Sequence, residues 1–412
     1  MQTQSWRFLS RLVAVTAVAV LIASLTTLAV AQRVSGEERT AIFAAAPKVS
    51  TSVSGVSAFT APPKGFDPLN ATSRELLGYG LPQPPDKSDA KAYEQWTRAM
   101  LALQSCNQSA QTSGRTTSSA SAGQVCRATD VRAEAVSSRE MMSTGTAKSN
   151  VDGTTAYNSS NWSGIAQTNK LTKWSNKTSF DEVVSVWPVP TANHPFGNIP
   201  CSEGPWWSVT WNGIDGFDNG DVVQGGSSQF WDGGGCAGSI STVGWVEWYP
   251  SYPILTILCG TSPCTVNPGD DFEVVTFAVA GTATQSVFVE DITQQWSGTF
   301  SLTYKTGPGV VGSSAEYIVE RPCCNGSNLY PLGNYVYEFF DYSFAYDGNG
   351  TLFYPGNTGA TTAIITMEAD GAASSQDISY PFFYGTAGNQ GRYSIWLADE
   401  NCAFSGGCAV GP

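Results

Sequence analysis

From Asn161 onward, the chain is built of short runs in which apolar or aromatic residues alternate with polar ones, separated by glycine-rich turns. Such runs include WWSVTWNGID, STVGWVEWYP, DFEVVTFAVAG, GTFSLTYKT and TAIITMEADG. A period of two places successive side chains on opposite faces of a strand, whereas helical periodicity is almost absent here. The pattern predicts an all-β domain, either an antiparallel sandwich or a barrel, and about 250 residues is ample for one such core.

The chain ahead of this region divides into two parts. Residues 1–31 combine a basic start, an apolar stretch and the small residues Ala29-Val30-Ala31, which predicts a signal peptide; an uncleaved anchor is the alternative. Residues 32–157 are rich in Ala, Ser, Thr and Gln, and a helical pattern runs from about Asp86 to Gln104. We therefore expect a secreted, extracellular protein with a partly helical segment at 32–157 and a main domain at 158–412.

Ten cysteines suit an oxidising compartment, in which thiols pair and hold loop-rich folds together. The close pairs Cys259 with Cys264 and Cys402 with Cys408 suggest short disulfide loops. A zinc site is not indicated, because the chain has one histidine, His194, and no paired C-x-x-C spacing. We predict no metal and no cofactor.

Charge is distributed very unevenly along the chain. Residues 158–412 hold six basic and 23 acidic side chains, a net charge of −17, whereas residues 32–157 carry +2. Phosphate binding needs a basic surface, so nucleic acid is not an expected partner. A domain with few basic groups gains little positive charge in acid and avoids the self-repulsion that unfolds other proteins there. The composition therefore favours an acidic medium; an acidic surface kept for solubility is the alternative.

The order of signal peptide, basic segment and acidic domain is typical of a secreted zymogen. Residues 32–157 would then be a propeptide, attracted to the acidic domain near neutral pH and released as carboxylates protonate. The alternative for this segment is a disordered linker.

Several catalytic systems are excluded because the chain lacks the residues that they need. A single histidine argues against Ser-His-Asp and Cys-His nucleophiles, and no G-x-S-x-G, H-E-x-x-H or paired D-[TS]-G string occurs. Carboxylates, carboxamides and aromatics remain. Strand phase places some of them on shared faces: Trp211 with Gly213 and Asp215, Trp245 with Glu247 and Tyr249, and Glu316 with Ile318 and Glu320. Burial in a groove would tune such carboxyl groups for acid-base work, but strand phase does not choose between Glu247 and Glu316.

Five strings in the main domain resemble the eqolisins, the glutamic peptidases, in order and approximate spacing. They are N-W-S-G from Asn161, W-N-G-I-D-G from Trp211, V-V-Q-G-G from Val222, W-V-E-W-Y-P from Trp245 and A-E-Y-I-V-E from Ala315. The resemblance implies a concanavalin-A-like sandwich of two large antiparallel sheets with the active site on a concave face. It also implies an acid-active, pepstatin-insensitive endopeptidase.

The resemblance further implies roles for individual residues. Gln224 and Glu316 match the catalytic glutamine and glutamate, whereas Trp211, Asp215 and Glu247 match residues that line and support the site. We expect protein or peptide substrates, inhibition by the chain's own propeptide, no membrane partner after signal cleavage, and a monomer. Two other classes compete: a glycoside hydrolase with two carboxylates beside aromatics, and a carbohydrate-binding sandwich whose aromatics stack on sugars.

Overall fold

The computed structural model describes residues 33–112, 126–134, 148–149, 154–168, 178–191, 205–232, 238–325, 328–335, 337–355, 361–368, 377–383 and 393–397. By its internal contacts, the chain divides into a first unit, Met1–Val34, and a second unit, Ser35–Pro412, which holds every feature discussed below. The predicted signal peptide at 1–31 lies outside the described residues, as do His194, Cys402 and Cys408. Within the described ranges, no helix is both long enough and apolar enough to cross a membrane.

The described part of the second unit consists mainly of strands. The helices are α1 (Gly36–Ala45), α2 (Ser73–Gly78) and α3 (Ala90–Thr112). The strands are β1 (Lys48–Ser50), β2 (Val56–Phe59), β3 (Asp130–Ala133), β4 (Lys148–Ser149), β5 (Thr154–Ser159), β6 (Trp162–Thr168), β7 (Phe180–Pro188), β8 (Trp206–Ile214), β9 (Val222–Trp231), β10 (Ile240–Tyr249), β11 (Leu255–Cys259), β12 (Ser262–Pro263), β13 (Asp271–Phe277), β14 (Thr284–Asp291), β15 (Trp296–Thr303), β16 (Ser314–Glu320), β17 (Cys323–Asn325), β18 (Asn328–Leu329), β19 (Tyr337–Phe340), β20 (Tyr342–Asp347), β21 (Leu352–Phe353), β22 (Thr361–Glu368), β23 (Asp377–Phe383) and β24 (Tyr393–Leu397).

All of these strands except β17 and β18, which pair with each other, form two large sheets. Sheet A has eight strands in the order β1-β2-β15-β14-β13-β7-β20-β21. Sheet B has 14 strands, with the main path β12-β11-β10-β9-β8-β16-β6-β22-β23-β24-β19 and with β3, β4 and β5 attached beside it. Neighbouring strands pair antiparallel, apart from the parallel pairing of β5 with β22. The prediction of an all-β sandwich of two large antiparallel sheets is confirmed.

Apolar side chains from both sheets form the core between them. Val223, Val246 and Tyr317 of sheet B belong to one buried cluster with Val274 and Val287 of sheet A. Burial of each such side chain stabilises the fold by roughly 1.5–3 kcal/mol. A second cluster lies on the other face of sheet B, so its central strands are buried on both faces.

The segment 32–157 contributes strands to both sheets, which the sequence did not predict. Strand β2 pairs with β15 at the edge of sheet A, and β3 pairs with β11 in sheet B. These strands have four residues each, too few to reveal an alternating pattern in the sequence. Strand β5 crosses the predicted boundary between residues 157 and 158.

The predicted helix in this segment is confirmed as α3. It begins at Ala90, slightly later than the expected start near Asp86, because the Asp89 carboxylate Oδ1 accepts a 3.1 Å hydrogen bond from the Ala92 backbone N–H. Its buried side chains recur at helical spacing. Over residues 90–106 they are Ala92, Trp96, Ala99, Met100, Ala102, Leu103 and Cys106.

Two disulfides lie in the described part of the chain. Cys259 bonds to Cys264, which confirms the predicted short loop between them. Cys106 on α3 bonds to Cys126, which follows this helix in the chain.

Candidate active site

Four neighbouring strands of sheet B bring the predicted catalytic pair into one transverse row. Gln224 on β9 is the register partner of both Glu247 on β10 and Gly213 on β8. Gly213 is in turn the register partner of Glu316 on β16. Gln224 and Glu316 therefore lie two strands apart, with about 10 Å between their Cα atoms. Gly213, which lies between them, carries no side chain.

The row lies on the face of sheet B that is turned away from sheet A. Its sequence neighbours Val223, Val246 and Ala315 belong to the core between the sheets. Because successive side chains of a strand alternate in direction, Gln224 and Glu316 project from the opposite face. The apolar cluster on that face includes Trp162, Trp211, Trp245 and Ile318. The shared faces inferred from strand phase for Trp211, Trp245 and Ile318 are thus confirmed.

Glu247 contacts Gln224 directly and orients its side chain. The Gln224 Nε2 donates a 2.8 Å hydrogen bond to Oε2 of Glu247. This bond fixes the plane of the carboxamide and hence the directions of its remaining N–H and its carbonyl oxygen. This hydrogen bond is the kind of contact through which Glu247 could support Gln224.

Glu316 is fully buried, and neither of its carboxylate oxygens has a hydrogen-bond partner among the described residues. Burial raises the pKa of Glu316 well above its ordinary range, and the nearby charges of Asp215 and Asp218 act in the same direction. In this closed arrangement burial therefore favours the protonated form of the group. Contact with water would lower its pKa and allow it to ionise.

Trp211 packs beside the gap in the row. A Cβ atom on Gly213 would lie 3.0 Å from Cζ3 of Trp211. The indole Nε1 donates a 2.9 Å hydrogen bond to Oε2 of Glu320, and the ring meets Trp162 edge to face at 5.0 Å. Burial raises the pKa of Glu320 to about 8, against the opposing hydrogen bond from Trp211. Glu320 therefore holds the aromatic wall of the site in place.

Asp215 occupies a different position from the other four predicted residues. It follows β8 with φ at 71°, a left-handed conformation that non-glycine residues rarely adopt. Its carboxylate accepts backbone hydrogen bonds of 2.7, 3.0 and 2.7 Å from Val311, Gly312 and Ser313. Burial raises the pKa of Asp215, and these three donors oppose the shift. Asp215 thus anchors the turn that leads into β16 and Glu316, rather than reaching towards Gln224.

Sequence reasoning placed Gly213 and Glu320 on the relevant faces but gave neither a role. The local signal for Glu320 was present, because it is four residues after Glu316 on one strand and therefore on the same face. Its bond to Trp211 depends on strand pairing, which no local pattern reveals.

The whole row is closed to solvent in the full chain. Gln224, Glu247, Glu316, Trp211 and Asp215 are each 0% exposed. Among the described residues, no group of three or more potential ligands is arranged to hold a metal ion.

Solved structures similar to this one include two peptidases. Scytalido-glutamic peptidase, determined with a transition state analog inhibitor, is 21% identical over 58% of this chain and 98% of its own, with a TM-score of 0.43. Aspergilloglutamic peptidase from Aspergillus niger is 22% identical over 47% of this chain and 99% of its own, with a TM-score of 0.37. Comparison with curated proteins gave no match.

A family model describes the domain that contains the row. The model of the Peptidase A4 family matches residues 160–380, which is more than half of the chain and includes all five predicted site residues. The protein therefore belongs to the Peptidase A4 family, the eqolisins.

Proposed function

We propose that this protein is a secreted, acid-active endopeptidase in which Gln224 and Glu316 activate a water molecule to cleave peptide bonds. The observation that carries the proposal is the row of Glu247, Gln224, Gly213 and Glu316, in which a carboxamide and a carboxyl group flank a gap. Family membership supports peptides as substrates over the sugars that a glycoside hydrolase or a carbohydrate-binding sandwich would take.

The chemistry of the two groups suits hydrolysis of a peptide lying in the gap. Once solvated and ionised, Glu316 takes a proton from a water molecule as the water oxygen attacks the scissile carbonyl carbon, and then gives that proton to the leaving nitrogen. Gln224 donates an N–H to the developing oxyanion. A carboxamide does not titrate, so this hydrogen bond persists in acid, where a histidine would be charged. Removal of one such donor raises the barrier by about 3 kcal/mol.

The closed row supports synthesis as a zymogen. Substrate does not reach groups that are 0% exposed, and burial disfavours the ionised form of Glu316. We propose that residues 1–31 are a signal peptide and that residues 32–157 are a propeptide that keeps the domain at 158–412 inactive. Ion pairs between Arg39 and Glu182 at 2.9 Å, and between Arg98 and Asp271 at 2.6 Å, join this segment to the acidic domain.

The test holds the purified precursor at about pH 3 and follows its mass and its action on a denatured protein. We expect loss of the N-terminal segment, about 155 residues, together with the onset of proteolysis that pepstatin does not inhibit. Glu316→Ala and Gln224→Ala precursors should stay inert, with circular dichroism spectra like that of the wild type. Near-normal cleavage by either variant would reject the dyad, whereas full activity of the uncleaved precursor would reject the zymogen.

A further inference from the structure

The loop 304–313 joins β15 of sheet A to β16, the strand of Glu316, and three strands of sheet B hold it. Ser251, just after β10, donates a 2.8 Å hydrogen bond to the Thr306 carbonyl oxygen. Asp221, just before β9, accepts a 3.1 Å hydrogen bond from the Gly309 N–H. Asp215, just after β8, accepts from the last three residues of the loop. The loop is therefore attached at the ends of the strands that carry Glu247, Gln224 and Gly213.

Asp221 has a central place in this attachment. Its Oδ1 accepts a hydrogen bond from Nε1 of Trp248, the neighbour of Glu247, while its Oδ2 accepts from Gly309. The side chain is 0% exposed. A Cβ atom on Gly307, whose φ is 113°, would lie 2.9 Å from Oδ2. The loop backbone thus packs directly against the carboxyl group, in a conformation and at a distance that favour glycine.

We propose that Asp221 is a positioning residue for the catalytic pair: it ties loop 304–313 to strands β9 and β10 and thereby sets Glu316 relative to Gln224. The proposal rests on the proposed function of this pair. Asp215 fixes the end of the loop next to β16, so the loop has one attachment beside Glu316 and another beside the strand of Gln224. A displacement of about 1 Å between reacting groups lowers rates by about 100-fold.

Ionisation of Asp221 would make this attachment depend on pH. Burial raises its pKa to about 6, and the charge of Asp215 adds to the rise, while the bonds from Trp248 and Gly309 oppose it. The other titratable groups on the surrounding elements include Asp218 before β9, Glu247 and Tyr249 on β10, Tyr252 after β10, and Tyr304 and Lys305 in the loop. The Lys305 Nζ lies 3.9 Å from the centre of the Tyr252 ring.

The sign of the effect follows from the two states of Asp221. An exposed aspartate has a pKa of about 3.9, so burial in the attached loop favours the protonated form. The contribution of Asp221 to loop attachment is fully present below about pH 4 and is lost as pH rises through about 6. A protonated carboxyl group still accepts hydrogen bonds. The geometry of the pair should therefore be held best in acid and loosen above about pH 6.

The experiment measures kcat and KM against pH for the acid-processed enzyme and three variants. Asp221→Asn removes the titration but keeps a neutral polar group, so kcat at about pH 4 should stay within about threefold of wild type, and the decline on the alkaline side should move up by at least about 0.5 pH unit. Asp221→Ala removes both bonds, and kcat should fall about 10- to 100-fold at every pH with KM little changed.

Asp232→Asn is the matched control. Asp232 follows the other end of β9 and accepts hydrogen bonds from Ser239, and both residues are exposed, so the pH dependence of kcat for this variant should equal that of the wild type. The proposal would be overturned if kcat of Asp221→Asn declined at the same alkaline pH as that of the wild type, or if Asp221→Ala kept the wild-type kcat. Activity in Gln224→Ala or Glu316→Ala would instead overturn the proposed function, so the two failures are distinguishable.

Discussion

Gln224 and Glu316 flank the same residue, since each is the register partner of Gly213 on the strand between them. The missing side chain leaves a gap one strand wide between a carboxamide and a carboxyl group. Trp211 bounds this gap along β8, and Glu247 lies beyond Gln224. We propose that, once the closed row opens, the reacting carbonyl and the water lie between the two groups that would act on them.

Filling the gap should impair catalysis more than folding. In Gly213→Ala the new Cβ would lie 3.0 Å from Trp211 Cζ3, 3.0 Å from the Val223 carbonyl oxygen and 3.1 Å from Gln224 Cβ, so these groups must shift by a few tenths of an ångström. We expect kcat/KM to fall about 100-fold, with about 1–3 kcal/mol of lost stability. Peptide hydrolysis in acid and thermal unfolding measure the two effects.

Gly78→Ala is the control for this substitution. Gly78 ends helix α2, and a Cβ there meets no atom within 4 Å. Because Gly78 lies in the proposed propeptide, this control applies to the precursor, whose thermal unfolding and acid-released activity should both equal those of the wild type. Unchanged kcat/KM in Gly213→Ala would show that the gap is not where substrate reacts.

The bond from Gln224 to Glu247 should affect turnover rather than substrate binding. Glu247→Leu removes the acceptor of the 2.8 Å bond while nearly keeping the volume, so the carboxamide loses the contact that orients it. We expect kcat to fall about 100-fold with KM little changed. Glu247→Gln keeps one acceptor oxygen and should lose about tenfold. Steady-state kinetics separates the two parameters, and a Glu247→Leu enzyme within about threefold of wild-type kcat would remove Glu247 from the site.

The sequence predicts the site where its signals are local. Alternation along one strand was enough to place Glu316 with Glu320 and Trp211 with Gly213, because the period of two depends only on neighbours. It was not enough to pair β8 with β16, which are about a hundred residues apart in the chain, so the row and its gap emerge only from the register. The resemblance to the eqolisins selected Gln224 and Glu316 from residues that strand phase left equivalent.

Other features were missed because their partners are distant or their elements short. In the sequence, Asp221 is an acidic residue directly before β9 with no local signal of a role. Only the fold brings Gly309 and Trp248 to it. Strands β2 and β3 contain four residues each and form by pairing with β15 and with β11. Tertiary contacts rather than intrinsic preference decide such short strands.

Arg39 should hold the N-terminal segment on the domain. Arg39 on α1 is 2% exposed, and its guanidinium contacts Glu182 Oε2 at 2.9 Å and Asp181 Oδ2 at 3.2 Å. Arg39→Gln leaves two buried carboxylates without this cation, a loss of about 3–5 kcal/mol. We expect an added protease at neutral pH to cut the segment in this precursor at least about tenfold faster.

The exposed pair of Arg74 with Glu38 provides the control. Such a pair contributes about 0–1 kcal/mol, so Arg74→Gln should be cut at the wild-type rate. Equal rates for Arg39→Gln and Arg74→Gln would mean that Arg39 does not hold the segment.

A buried pair of carboxyl groups in sheet A should make the fold more stable in acid. Glu273 on β13 and Glu290 on β14 are register partners, and both are buried. Burial raises the pKa of Glu273 to about 8, and it raises that of Glu290 well above its ordinary value, helped by the charge of Glu273. Because the folded pKa values exceed the unfolded value of about 4.3, this stability is complete below about pH 4 and is lost as pH rises through about 8.

Glu290→Gln removes one of these titrations at nearly constant shape. We expect its melting temperature to exceed that of the wild type by at least about 3 °C at about pH 7.5 and to equal it at about pH 4. Glu75→Gln is the control, and its effect on the melting temperature at about pH 7.5 should have the opposite sign. Hydrogen bonds from the backbone and side chain of Thr72 lower the pKa of that exposed carboxylate. A lower melting temperature for Glu290→Gln at about pH 7.5 would show that Glu290 is charged and paired in the folded chain.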